Sequence, residues 1–182
     1  MIELSLHVLD IAENSTRAGA KNVYITIEED SAGDILLLEI SDDGAGMKED
    51  MLNKVTDPFF TTKTVRNVGL GLPMLAQAAE KTGGRFSFGS KEGEGSRVAA
   101  EFRLGHIDRQ PLGDMASTLV TLIAGNTDVD FIYRHRHNEK EYILDTRDVR
   151  IEIEDVPINA LAVLSLIREF IQDGLREINS EA

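Results

Sequence analysis

Cysteine and tryptophan are absent from the 182 residues, and aromatic side chains make up only 5% of them. Without cysteine there is no disulfide framework, no thiolate zinc site and no cysteine nucleophile, and a reducing compartment, the cytoplasm, is the expected location. Basic residues are scarce as well: 19 Lys and Arg stand against 32 Asp and Glu, for a formal net charge of −13. A field of that sign repels nucleic acid and anionic lipid, so neither a DNA- or RNA-coating role nor a membrane partner is expected. Long apolar runs are also missing. None approaches the roughly 20 residues that a bilayer-spanning helix requires, and the first residues lack the basic-then-apolar order of a secretory signal. What remains is ordinary globular material, 42% hydrophobic and 28% charged, enough to build a core of its own.

Periodicity predicts a helix over 2–18 that ends at Gly19. Alternation at Val23, Ile25 and Ile27, followed by the apolar run Ile35 to Ile40, predicts a hairpin whose second strand leads into Asp42-Asp43-Gly44-Ala45-Gly46. Residues 47–67 read as a long loop with one short helical turn. A helix is expected from about Leu70, with Pro73 in its first turn, to Gly83-Gly84. Strands are expected over Arg85 to Phe88 and Arg97 to Leu104, with a turn-rich stretch between them. That closes a first unit, 1–104. Beyond it, 105–182 reads as α-β-β-α: a helix carrying Met115, Leu119, Leu122 and Ile123, strands near Val129 to Arg136 and Glu141 to Leu144, and a C-terminal helix. Both units are acidic.

On the first helix, at about 100° per residue, His7, Asp10, Asn14 and Arg17 fall within roughly 80° of one another. The other faces are largely apolar, so this stripe must meet water or a polar ligand. In Asp42-Asp43-Gly44-Ala45-Gly46 a carboxylate follows a buried strand, and Gly44 and Gly46 would let a flat ligand approach the backbone; the plain alternative is a tight turn. Gly69-Leu70-Gly71-Leu72 opens the next helix, where unpaired N–H groups and the helix dipole suit phosphate. Neither Gly-x-x-x-x-Gly-Lys-Ser/Thr nor Gly-x-Gly-x-x-Gly occurs, so any phosphate is held in another way.

In order along the chain, Asn14 in "DIAENSTRAGA", Asp42 in "DDGAGM", "DPFFTTK" at Asp57 to Lys63 and "VGLGLPM" at Val68 to Met74 resemble the motifs of the GHKL superfamily of ATP-binding domains. The likeness is nearest to the ATP-binding domain of histidine kinases and covers about residues 2 to 104. It implies an α+β fold, a two-layer sandwich with helices on one face of a mixed sheet, followed here by a small C-terminal appendage. It also implies roles for individual residues. Asn14 would ligate Mg²⁺ through its amide oxygen, and Arg17 would hold a phosphate oxygen. Asp42 would accept a hydrogen bond from the exocyclic amine of adenine, which selects ATP over GTP. Ser96 would help to seat adenine, Gly69 and Gly71 would face the phosphates beside Leu70 and Leu72, and Lys63 would reach the phosphates from the loop. Asp10 stands four residues before Asn14, where the superfamily often has Glu as the base. The missing methylene shortens its reach by about 1.5 Å, so slow turnover is expected. Asn67 is a second departure, standing where the kinases' first loop glycine usually lies.

Histidine kinases carry dimerising, phosphate-accepting helices before this domain; none is expected here, and the phosphoacceptor is expected on another protein. His7 is followed by Val8 rather than an acidic residue and reads as a helix-face histidine. The leading expectation is a stand-alone histidine-kinase-like protein that binds Mg·ATP and transfers or hydrolyses its γ-phosphate. The alternative is a nucleotide-gated regulatory module that grips a partner protein. A MutL-like DNA-repair switch is disfavoured by the net charge. His135 and His137 alternate with Arg134 and Arg136 and read as a polar strand face. The last helix carries Leu164, Ile167, Ile171, Leu175 and Ile178 on one stripe, widened by Val163, Leu166 and Phe170. Internal core is the expected use, with a homodimer or partner interface as the alternative.

Overall fold

The computed structural model describes residues 3–48 and 71–180. Its elements are α1 (Leu4–Arg17), β1 (Asn22–Asp30), β2 (Ile35–Asp42), α2 (Gly71–Lys81), β3 (Arg85–Lys91), β4 (Gly95–Arg103), α3 (Met115–Gly125), β5 (Asp130–His137), β6 (Lys140–Asp145), α4 (Thr146–Ile153) and α5 (Leu161–Glu177). The six strands form one sheet in the order β3-β4-β2-β1-β5-β6. Neighbours are antiparallel except β1 and β5, which run parallel from Asn22 opposite Asp130 to Glu29 opposite His137. The sheet is therefore mixed, as expected. It also crosses the boundary after residue 104, because β5 and β6 continue it from β1. The turn expected over 89–96 is shorter than the sequence suggests. Gly89 and Ser90 pair with Arg97 and Ser96, so β3 and β4 extend toward each other until only residues 92–94 separate them.

Strand alternation sorts the two faces. Val23, Ile25 and Ile27 of β1, Leu36, Leu38 and Ile40 of β2, Val98, Ala100 and Phe102 of β4, and Phe131 and Tyr133 of β5 are buried. They pack under helices α1, α2, α3 and α5 in one continuous core. The other face is polar and partly exposed, with cross-strand ion pairs Arg97–Glu39 and Arg136–Glu28, each at 2.6 Å. On α5, Val163, Ile167 and Ile171 are buried and Leu164 and Leu175 are partly so, whereas Leu166 and Phe170 are exposed. The expected stripe thus faces the core together with Val163, whereas the other two widening residues, Leu166 and Phe170, do not.

His135 corrects the expected polar strand face. Arg134 and Arg136 point to the open side, and His135 is fully buried on the core side, in line with Ile27 of β1. It survives there because it is bonded at both ring nitrogens. Nε2 lies 2.6 Å from Glu29 Oε1 and Nδ1 lies 2.6 Å from the Tyr133 hydroxyl. Burial pushes the Tyr133 phenol well above its ordinary pKa, so it stays protonated and donates to the imidazole. Ser180, beyond α5, donates to the same Glu29 oxygen at 2.7 Å. Among the described residues no helix is long and apolar enough to cross a membrane.

Candidate nucleotide site

The candidate site lies where α1 crosses the ends of β2 and β4. Asn14, Arg17, Asp42, Gly46, Leu72 and Ser96, six residues named from the sequence, line one cleft of about 500 Å³. Lys63, Gly69, Leu70 and the Phe-Phe-Thr-Thr-Lys loop lie outside the described residues. Gly44 is buried behind the wall, and Asp10 and Gly71 meet each other rather than the cleft.

Asp42 ends β2, half-buried, with both carboxylate oxygens held. Ser15, buried on α1, donates its hydroxyl to Oδ2 at 2.7 Å, and the Gly44 backbone N–H donates to Oδ1 at 2.9 Å. Each oxygen keeps a lone pair for a further donor. The neighbouring Asp43 faces the other way and ties the turn to the start of β1. It accepts from the backbone N–H groups of Lys21 and Asn22 and from the Asn22 side chain, at 2.7 to 2.9 Å. Partial burial opposes ionisation there, but these bonds outweigh it and hold the carboxyl below its usual range. Backbone proximity fixes the glycines. Gly46 has φ +63°, and a Cβ on it would lie 1.9 Å from the Lys91 carbonyl oxygen. On Gly44 a Cβ would press on Asp42 and Ala18 at 3.0 to 3.3 Å.

Ser96 stands opposite Asp42 across the β2–β4 ladder. Ser90 gives its proton to the Gly95 carbonyl at 2.9 Å, so Ser96, 3.0 Å from Ser90, donates to it and keeps its lone pairs for a ligand. Asn14 is half-buried. Its amide oxygen accepts from Arg17 at 3.1 Å, and the same guanidinium pairs with Glu13 at 2.6 Å. This oxygen fits a magnesium ion as one ligand among several. No group of three or more His, Cys, Asp or Glu among the described residues is placed to hold a metal, so the remaining positions would fall to phosphate and water, as magnesium prefers.

Asp10 and His7 continue the stripe inward. Asp10 packs against the first residue of α2: a Cβ on Gly71 would lie 1.9 Å from Asp10 Oδ2. His7 is fully buried, not on a solvated helix face, and its Nε2 lies 3.1 Å from Gln110 Oε1. Burial, the largest influence, lowers the His7 pKa below 6.5 and keeps the ring neutral. The stripe therefore grades from core at His7 to solvent at Arg17.

Sequence reasoning missed the apolar walls Ile11, Ile40, Met47, Phe88 and Val98, together with Ser15 and the rim pair Lys48–Glu92 at 3.7 Å. The signals were present. Ile40 and Val98 stand two residues from Asp42 and Ser96, hence on the same strand faces. Ser15 stands one turn after Ile11 on the helix that carries Asn14.

Residues 2–106 match the family described as histidine kinase-, DNA gyrase B-, and HSP90-like ATPase. Among curated relatives, the sensor protein kinase PilS of Pseudomonas aeruginosa is 30% identical over 95 residues, 50% of this chain and 18% of that one. Sporulation kinase E of Bacillus subtilis is 37% identical over 75 residues, 41% of this chain and 10% of that one. The chain thus spans under a fifth of the length of these relatives. Among solved structures, the N-terminal domain of a DNA repair protein matches with TM-score 0.55 and 15% identity, over 80% of this chain and 53% of that one. The Aquifex aeolicus MutL ATPase domain, complexed with ADP, matches with TM-score 0.50 and 13% identity, over 80% of this chain and 63% of that one. The likeness in fold runs past residue 106, since 80% of the chain exceeds the family match. Because that family match covers residues 2–106, more than half of the sequence, the chain belongs to the histidine kinase-, DNA gyrase B- and HSP90-like ATPase family, a membership that supports ATP binding.

Proposed function

We propose that the protein binds Mg·ATP in the cleft between α1 and the β2 and β4 ends and acts on its γ-phosphate. The observation that carries the reading is the Asp42 carboxylate, oriented by Ser15 and Gly44 in a cleft whose lining also includes the apolar Ile11, Ile40, Met47, Leu72, Phe88 and Val98. A fixed acceptor beside flat apolar surface recognises an amine-bearing base such as adenine. Ser96 adds an acceptor at the same end. Asn14 would hold magnesium, which supplies charge neutralisation at the phosphates when bound. Arg17 would exchange its pairing with Asn14 for a phosphate oxygen, and the start of α2 would add N–H groups and a favourable dipole. Asp10 would take the proton of the attacking group. Transfer to a partner protein and hydrolysis share this machinery up to the identity of the nucleophile.

Asn14→Ala is expected to remove the magnesium-dependent part of ATP affinity while the protein stays folded, because the side chain is half-buried and packs no core. Titration calorimetry with and without magnesium reads the effect directly. Mg·ATP affinity equal to that of the parent protein overturns the assignment.

A further inference from the structure

We propose that Ser90 is a positioning residue for base selection: by fixing the direction of the Ser96 hydroxyl from behind the cleft, it makes the site take a 6-amino purine and turn away a 6-oxo purine. The proposal rests on the Mg·ATP reading above. Asp42 does not complete that choice by itself. Its carboxylate accepts from the 6-amine of adenine, but a carboxylate also accepts from the N1–H that a 6-oxo purine carries beside its carbonyl. A second group next to Asp42 has to tell the amine from the carbonyl.

Ser96 holds that place. It pairs with Asp42 across the β2–β4 ladder, so the two side chains leave the same face of the sheet, and both line the cleft. Residues directly opposite on neighbouring strands stand about 5 Å apart at Cβ, close enough to meet neighbouring positions of one base edge. A serine hydroxyl alone is indifferent, because it rotates to donate or to accept as its partner requires. A free Ser96 would accept from an amine and donate to a carbonyl with equal ease.

Ser90 removes that freedom. It stands opposite Ser96 on β3 and does not itself line the cleft. Its Oγ lies 2.9 Å from the Gly95 carbonyl oxygen and 3.0 Å from Ser96 Oγ. The carbonyl can only accept, so the single Ser90 proton goes to it and Ser90 meets Ser96 as an acceptor. No other assignment makes hydrogen bonds of both contacts. The Ser96 proton is thereby directed toward β3, and its lone pairs are left for the base. Gly95 anchors this arrangement, because its backbone is held so close to β2 that a Cβ would lie 1.9 Å from the Asp42 carbonyl oxygen. The base end of the cleft then presents two acceptors side by side. An amine with two N–H groups suits both, whereas a 6-carbonyl oxygen faces a lone pair and loses the donors it had in water, a mismatch that discriminates strongly.

The test is titration calorimetry of the full chain with ATP and with ITP, each in the presence of magnesium. ITP differs from ATP only in its 6-carbonyl and N1–H. Ser90→Ala, Ser90→Thr, Ser96→Ala and the Ser90→Ala/Ser96→Ala double variant accompany the parent. The parent is expected to bind ATP about thirtyfold more tightly than ITP. Ser90→Ala frees the Ser96 hydroxyl to donate, so ITP affinity is expected to rise about tenfold with ATP affinity changed by less than about twofold. Ser90→Thr restores the hydroxyl and is expected to restore the parent's ratio. In the Ser96→Ala background, Ser90→Ala is expected to leave the ratio where it was, because Ser90 acts through Ser96. The ratio of two affinities within one variant is independent of its folded fraction, and a Ser90 that only supported the β3–β4 turn would lower both affinities together. A parent that binds ITP as tightly as ATP, a Ser90→Ala ratio equal to the parent's, a Ser90→Thr ratio as low as that of Ser90→Ala, or an undiminished Ser90→Ala effect in the Ser96→Ala background each overturns the proposal. Failure of the parent protein to bind Mg·ATP overturns the underlying reading instead.

Discussion

Asp42→Ala is expected to weaken ATP binding about a hundredfold, with the fold preserved. The carboxylate is the charged acceptor in the cleft that the fold holds at both oxygens, by Ser15 at 2.7 Å and Gly44 at 2.9 Å. A hydrogen bond to a charged group contributes about 1.5–3 kcal/mol, a factor of roughly 10 to 150 in affinity. Truncation also strands the buried Ser15 hydroxyl, which retains only its longer contact of 3.3 Å to the Ile11 carbonyl. Asp42→Asn sharpens the result. Its size is unchanged, but an amide that presents N–H to an exocyclic amine opposes donor with donor, so affinity should fall by nearly as much while thermal stability stays close to the parent's. Fluorescence titration with an ATP analogue, beside a melting curve for each variant, separates the two effects. Asp42→Ala binding ATP as the parent does would exclude Asp42 as the base-reading residue.

The second large effect is on stability and belongs to Gly95, where β4 begins. Its φ is +95°, and a Cβ there would lie 1.9 Å from the Asp42 carbonyl oxygen, 2.7 Å from its carbon and 3.0 Å from Asp43 Cα. All three are backbone atoms, so no rotamer change relieves the contact and β2 must part from β4 at the nucleotide end. Gly95→Ala is expected to cost about 3 kcal/mol or more, since backbone strain adds to the steric displacement. Gly89→Ala is the internal control. Nothing lies within 4 Å of its Cβ position, and alanine in a strand should be neutral or slightly stabilising. Urea denaturation of both variants checks the contrast; equal midpoints would mean that the β2–β4 junction is not under this constraint.

Much of the fold was legible because its elements follow one signal each. The α1 stripe, the β1–β2 hairpin and the Met115 to Ile123 helix are periodic segments whose pattern survives without knowledge of their neighbours. The parallel pairing of β1 with β5 was not legible. It joins strands more than a hundred residues apart through backbone groups, and no local pattern records which strand lies beside which. His135 was misplaced for a related reason. Between two arginines it reads as polar surface, and only the Glu29 partner delivered by that pairing, with Tyr133 two residues before it on β5, satisfies its ring in the core. In the site, Asp42, Asn14 and Ser96 were found through motifs, whereas Ile11, Phe88 and Met47 contribute shape, which many apolar residues would supply equally well.

The parallel β1–β5 contact also gives the sheet its protection. With β5 in place, β1 is an interior strand, and the sheet ends at β3 and β6. A polypeptide ending at residue 104 would keep every residue assigned here to the nucleotide cleft. It would nevertheless turn β1 into an outer strand, with a row of bare N–H and C=O groups along Asn22 to Glu29 and the apolar Val23, Ile25 and Ile27 beneath them. Such an edge is a template for a second chain. The downstream residues thus act as a built-in edge guard, because the chain's own distant strand takes the place along β1 that another molecule could otherwise occupy.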